Sequence, residues 1–263
     1  MKRRDFLAAS SLAGVATMAD FGQVSAQGKT QQQLLELKVY HLLPGGKKKV
    51  VHDFLRDAAL PALGRAGVGP VAVFEPVHGA DSLTLYTLIP YPSVDALLTT
   101  WPKMIADAEF QKAAEAFYKS PIDSPPFMRI ESSLMLAFEQ YPKLEASQLA
   151  TEKKSRIFEM RIYESHHGLS AKRKVEMFNS GGEIAIFKRT GLQPVFFGET
   201  IIGPRIPNLT YMLVFADNAA REKAWAAFRE DPDWKKLSAD PHYADTVSNI
   251  TDMILRPTAY SQV

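Results

Sequence analysis

The chain has 263 residues, 31 Lys and Arg against 29 Asp and Glu, a formal charge of +2, and no cysteine. Nearly balanced charge argues against a general nucleic-acid or anionic-membrane binder, and the missing thiols exclude disulfides, thiolate metal sites, cysteine nucleophiles and a lipid-anchored cysteine. At 46% hydrophobic residues, the length suffices for two units held together by their own core.

Residues 1–26 read as a twin-arginine signal peptide. Arg3-Arg4 is followed by Phe6-Leu7, a mildly apolar stretch to Ala19, and the small residues Val24-Ser25-Ala26 where a signal peptidase cuts. Ser10, Ser11, Gly14 and Thr17 interrupt the apolar stretch, which is too short and too polar to span a bilayer. The expected location is periplasmic, or otherwise exported by the twin-arginine route, with no stable membrane insertion after cleavage. Losing Lys2, Arg3, Arg4, Asp5 and Asp20 takes the formal charge to +1.

The rest of the chain is a repeat. Leu35-Glu36-Leu37-Lys38-Val39-Tyr40 returns as Phe158-Glu159-Met160-Arg161-Ile162-Tyr163, and Arg65-Ala66-Gly67-Val68-Gly69-Pro70-Val71 as Arg189-Thr190-Gly191-Leu192-Gln193-Pro194-Val195. Glu75 answers Glu199, Gly79 answers Gly203, Trp101 answers Trp225, and Asp107 to Lys112 answers Asp231 to Lys236, all at an offset of 123 to 126. So many collinear matches define two units, 34–138 and 156–257, joined by a charged linker over 139–155 with no apolar period.

In chain order, the first unit opens with a strictly alternating strand whose Leu35, Leu37 and Val39 share one face and Glu36, Lys38 and Tyr40 the other. Helical spacing then runs from Lys47 to Arg65 despite Pro61, and Gly67 ends it. Strands follow over 71–74 and 83–89, separated by a turn at His78-Gly79-Ala80-Asp81; the second is apolar on both faces, so both faces must be covered. Ser93 caps a helix that Pro102 interrupts, Asp107 starts a further turn, and Met128 to Phe138 closes the unit. The second unit repeats this with strands near 156–164, 194–202, 208–216 and 245–256 and helices near 170–190 and 218–240. Each unit is thus β-α-β-β-α-β, the ferredoxin-like pattern, with both helices on one sheet face and the other unit as cover for the second face.

The Glu-Leu-Lys-Val-Tyr opening followed by Gly45, the helix ending at Gly67, and Trp225 with Asp231-Pro232-Asp233-Trp234 resemble NIPSNAP repeats. The first unit departs from that pattern at Ala108 and Phe110, and the second where Glu164-Ser165-His166-His167-Gly168 stands in place of Pro44-Gly45. The resemblance implies an α+β fold in which two tandem ferredoxin-like units pack face to face as an intramolecular dimeric α/β barrel. Related barrels include cofactor-free monooxygenases, haem-degrading enzymes and small lyases, and some family members are interaction and targeting proteins.

No nucleophile elbow, Walker loop, dinucleotide fingerprint or His-Glu-x-x-His is present. Gly181-Gly182 reads as a kink or a close-packing site. Six His residues are too poorly spaced for a metal centre, so no metal and no cofactor are expected. In His166-His167, neighbouring side chains of an extended segment point apart. Trp101, Trp225, Phe110 and Trp234 are read as packing residues on the second helix of each unit, with Asp107 and Asp231 as caps.

The candidate pocket is polar: Glu36, Lys38, Tyr40, Glu159, Arg161 and Tyr163, with Glu75 and Glu199 as contributors. The expectation places their row inside the barrel and the apolar row under the helices. An internal ion-pair network and a ligand pocket both account for it. Two functions stay open: a small-molecule binder or cofactor-independent enzyme, and a non-catalytic envelope interaction scaffold. A homo-oligomer is compatible with either.

Overall fold

A computed structural model describes residues 31–43, 48–77 and 83–263. The signal peptide, Pro44-Gly45 and the turn over 78–81 lie outside the described residues. The first unit runs β1 (Leu34–His41), α1 (Lys48–Asp53), a π-helical stretch (Phe54–Ala59), α2 (Leu60–Arg65), β2 (Ala72–Pro76), β3 (Thr84–Tyr91), α3 (Val94–Ala106), α4 (Ala108–Ala113), α5 (Glu115–Tyr118) and β4 (Arg129–Ala137). A short α6 (Gln148–Thr151) lies in the linker. The second unit runs β5 (Ile157–Glu164), α7 (Gly168–Phe178), α8 (Glu183–Thr190), β6 (Gln193–Ile202), β7 (Asn208–Phe215), α9 (Asn218–Glu230), α10 (Pro232–Ser238) and β8 (Asn249–Pro257).

The eight strands close into one antiparallel barrel in the order β1-β3-β2-β8-β5-β7-β6-β4. Each unit supplies a ferredoxin-like sheet, and two equivalent seams, β2 with β8 and β4 with β6, close the ring. Closure leaves no sheet edge to protect. All eight residues of β3 are buried, as are all eight of β7, because the barrel core lies on one face and the helices on the other.

The direction of the first strands corrects the sequence reading. Leu35 and Leu37 point into the barrel with Phe158 and Met160, where they pack with Phe74, Leu88, Met135, Phe196, Met212 and Leu255. Glu36, Lys38 and Tyr40, like Glu159, Arg161 and Tyr163, point outward beneath the helices. Tyr40 belongs to the helical core of the first unit and Tyr163 packs against that of the second, so the two do not share an interior. The cause is access to water. The middle of the barrel, where Leu35, Phe158 and Met160 are fully buried, offers a charged head group no solvent, whereas the layer between sheet and helices opens at its rim. Each large apolar side chain moved inside contributes roughly 1.5–3 kcal/mol, and an unpaired buried charge costs more than that.

Local departures have local causes. Pro61 has no N–H and its ring crowds the preceding turn, which widens so that the Leu60 N–H donates to the Leu55 carbonyl. Pro102 does not end α3; the carbonyl of Leu98, four residues earlier, belongs to an exposed residue that water can reach. The long helix expected over 170–190 breaks between Phe178 and Glu183, where Gly182 has φ +91° and a Cβ on Gly181 would lie 2.5 Å from the Met177 carbonyl oxygen. Both roles suggested for that glycine pair, kink and close approach, are present. The last strand starts at Asn249, and the linker is more than surface, since Tyr141 and Leu144 are buried.

Candidate small-molecule pocket

The second unit carries a cavity of about 590 Å³ between its sheet and its helices. Its floor comes from alternation in β5: with Phe158 and Met160 committed to the barrel, Glu159, Arg161 and Tyr163 must face the helical layer. α9 supplies Arg221, Trp225 and Phe228 at helical spacing, and the α7–α8 break brings in Lys174, Glu183 and Phe187.

Glu159 is fully buried and holds the floor together. It accepts from Arg221 Nε and Nη2 at 2.9 and 2.8 Å, from Arg161 Nη1 at 2.9 Å and from Trp225 Nε1 at 2.7 Å. Burial pushes its carboxyl up, but the donated hydrogen bonds outweigh that and hold it below the ordinary 4.5. The Arg161 guanidinium lies 5.0 Å from the Trp225 ring centroid and 5.6 Å from that of Tyr163. Tyr163 and Tyr211 share a hydroxyl hydrogen bond of 2.9 Å, and burial raises both, so both are neutral phenols at neutral pH.

A second ion pair closes the pocket wall. Lys174 Nζ lies 2.8 Å from Glu183 Oε2, with both side chains almost wholly buried, and 4.6 Å from the Phe178 centroid. Burial raises Glu183, and the Lys174 charge only partly offsets it. The remaining walls are aromatic. Phe187 meets Phe228 edge-on at 5.0 Å, and Phe228 lies against Trp234 at 4.3 Å. Such a site can hold a planar molecule, donate hydrogen bonds from phenol and guanidinium, and exchange a proton with a buried carboxyl.

The residues expected to form one pocket are distributed over four places. Glu159, Arg161 and Tyr163 line or support the cavity just described. Glu36, Lys38 and Tyr40 lie under the first unit's helices, where Glu36 accepts from Tyr91 at 3.0 Å and Ser132 at 2.8 Å. Glu75 sits at the β2–β8 seam, bound by Lys48 at 2.7 Å, Arg256 at 3.0 Å and His52 at 3.2 Å. Glu199 occupies the equivalent β4–β6 seam with Lys172 at 2.8 Å.

Lys174, Glu183 and Arg221 belong to the site although in the sequence they resemble ordinary helix-surface charges. Their counterparts at the repeat offset of 123 to 124 are Val51, Ala59 and Leu97, and a charge replacing an apolar residue at a core position was the available signal. His167 caps α7 by accepting from the Ser170 N–H, and its ring lies 4.1 Å from that of His166, so the two side chains do not point apart. Among the described residues no group of three or more His, Asp or Glu is placed to hold a metal.

Comparison with known proteins fits this geometry. Residues 158–262 match the NIPSNAP family. The matched segment contains β6 to β8, β5 but for Ile157, and all of the pocket's lining. Over 86% of the chain and 94% of the other, the structure is similar to a "putative monooxygenase" from Lactobacillus acidophilus, with 10% identity and a TM-score of 0.57. A "putative monooxygenase" from Fusobacterium nucleatum matches over 86% and 92% at 9% identity and a TM-score of 0.53. A NIPSNAP family protein from Agrobacterium tumefaciens is 24% identical over 40% of this chain and 96% of its own, with a TM-score of 0.36. At such identities the first two likenesses are of fold alone, the NIPSNAP-like dimeric α/β barrel. No curated protein matches the chain.

Proposed function

We propose that the protein is exported and takes up a small organic molecule in the pocket beneath α9 of its NIPSNAP unit, as a binding protein or a cofactor-independent enzyme. The observation that carries this reading is the contrast in volume and lining between two equivalent places. The pocket beneath α9 measures about 590 Å³ and is lined by six charged residues; its counterpart in the first unit measures about 140 Å³ and is lined by one, Lys38. The larger volume lies within the range of small-molecule sites, roughly 300–1,000 Å³. The names given to the two neighbours of like fold suit small-molecule chemistry without deciding it, since one fold hosts many activities. Export rests on the sequence of residues 1–26 alone.

Native mass spectrometry of the protein recovered from its exporting host tests the binding. A small molecule is expected to co-purify and to be lost from Ile250→Trp, which crowds the pocket mouth. A protein that carries nothing and gains no thermal stability from a panel of aromatic compounds overturns the reading. For export, the precursor with Arg3→Lys and Arg4→Lys is expected to stay in the cytoplasm; undiminished periplasmic protein refutes the route.

One observation favours the scaffold alternative. Val94, Leu98, Trp101 and Ile105 form an exposed stripe along α3, whereas three of the four equivalent positions on α9 are Asn218, Glu222 and Arg229. A second copy of this chain is the partner that reading names, because a lone apolar stripe pairing with itself closes at two. Sedimentation equilibrium with Leu98→Glu decides it: a dimer lost in the variant supports it, and a wild-type monomer removes it.

A further inference from the structure

We infer that the ligand of the α9 pocket is a planar aromatic molecule bearing one anionic group, a carboxylate or a phenolate. The inference rests on the pocket reading above and adds the ligand's class.

The aromatic half follows from the walls. Tyr163, Phe187, Trp225, Phe228 and Trp234 all line the cavity, and they come from four different elements. The counterpart cavity keeps Tyr40 and Trp101 in place of Tyr163 and Trp225 but has Leu63 and Met104 in place of Phe187 and Phe228, so those two rings belong to this site and not to the repeat. Rings arranged edge-on and tilted about an open volume leave faces for a further ring to stack on.

The anionic half follows from charge. Inside the rim stand three cations, Arg161, Lys174 and Arg221. They face two carboxylates, Glu159 and Glu183. Lys174 and Glu183 neutralise each other at 2.8 Å. Glu159 is then a single carboxylate between two guanidiniums, which leaves one positive charge in excess beside a semi-enclosed aromatic space. At the rim, Glu222 and Arg229 balance, and Asp252, 3.5 Å from Arg161 and mostly exposed, is screened by solvent. A cation held away from bulk water selects a negative partner more strongly than an exposed one does. Arg221 spends Nε and Nη2 on Glu159, which leaves its Nη1 for a ligand.

Titration calorimetry with naphthoate and its neutral isostere naphthalenemethanol tests the class on the full mature protein. Naphthoate is expected to bind at least about tenfold tighter, with a preference that shrinks as salt rises. Arg221→Gln is expected to abolish the preference and Arg221→Lys to retain most of it. Lys38→Gln, in the counterpart cavity, should leave it unchanged. If Arg221→Gln does not fold, the salt series and Arg221→Lys on folded protein carry the test. Equal affinity for the two probes overturns the anion assignment and leaves the pocket reading standing. No binding of either probe, together with no effect of Ile250→Trp on any co-purified molecule, overturns both.

Discussion

The two helical layers of this barrel occupy equivalent places and are filled in opposite ways. In the first unit Phe54 stacks on Phe117 at 4.0 Å, Phe127 packs against Tyr40 at 5.9 Å, and an unbroken helical run from Lys48 to Arg65 presses Leu55 and Leu60 against the sheet. The second unit breaks that run at Gly181-Gly182, puts Lys174 and Glu183 where Val51 and Ala59 stood, and lets Val247 and Ile250 border an open space. One layer became core and the other kept charges that a core would not choose. Duplication permits this division, because the first unit's packing supplies stability that the second can forgo around a site.

The sharpest way to break the comparison is to remove one partner of the buried pair. Glu183→Ala leaves Lys174 among aromatic rings with no counter-charge, and a loss of about 4 kcal/mol is expected by denaturant unfolding. Adding Lys174→Val restores the first unit's residues at both positions and should recover most of that loss, since replacing a whole buried pair by apolar groups is often close to neutral. Additive losses in the double variant would show that the two units' layers are not interchangeable. The sign of the pH effect is set by burial raising Glu183 above 4.5. The folded state binds that proton more tightly, so the ionised carboxyl costs stability as pH rises through its folded value.

Glu159 gives the next largest effect and the opposite sign. Glu159→Gln leaves Arg161 and Arg221 without their shared anion and is expected to cost about 3 kcal/mol. Its counterpart change Glu36→Gln, at a partly open site with Lys38 3.4 Å away, should cost about 1 kcal/mol. Because the Glu159 carboxyl is held below 4.5, its contribution is fully present above that pH and is lost as pH falls through the folded value. The stability gap between wild type and Glu159→Gln should therefore close on acidification below about 4.5; a gap constant down to acid unfolding would mean that the carboxylate's charge contributes nothing.

The fold was legible because its signals are local and duplicated: the alternating first strand, the wholly apolar third strand, Ser93, Asp107 and Asp231 as caps. The two-unit closure followed from a sheet face that needed cover. The facing of the polar row was not legible from one strand, since alternation defines two faces and does not say which is inside. That decision belongs to the whole barrel, where Leu35, Leu37, Phe158 and Met160 converge on a volume that excludes water. Three of the eight candidate residues, Glu159, Arg161 and Tyr163, nonetheless fell on the pocket, because outward-facing positions under a helix can hold charges near a rim. Lys174, Glu183 and Arg221 escaped because a helix carrying charges looks solvated until each position is laid over its repeat partner.

The duplicated tryptophans give the smallest and most discriminating test. Both were read as packing residues, and both sit in the helical layers. Trp101 is 54% exposed and meets Phe110 edge-on at 6.2 Å, so Trp101→Phe removes little buried surface and should change stability by less than about 0.5 kcal/mol. Trp225 donates to the buried Glu159 at 2.7 Å and carries the Arg161 guanidinium over its ring. Phenylalanine keeps the ring but loses the N–H, so Trp225→Phe forfeits a hydrogen bond to a charged acceptor, and about 2 kcal/mol is expected. Denaturation curves of the two variants measure the difference directly. Tryptophan fluorescence adds a second readout, since a ligand in the pocket should quench the signal of Trp101→Phe, which retains Trp225 and Trp234, far more than the light from Trp101 that remains in a Trp225→Phe, Trp234→Phe protein. Equal losses from the two single variants would mean that Trp225 is packing and nothing more, and would remove the duplicated position as a mark of the site.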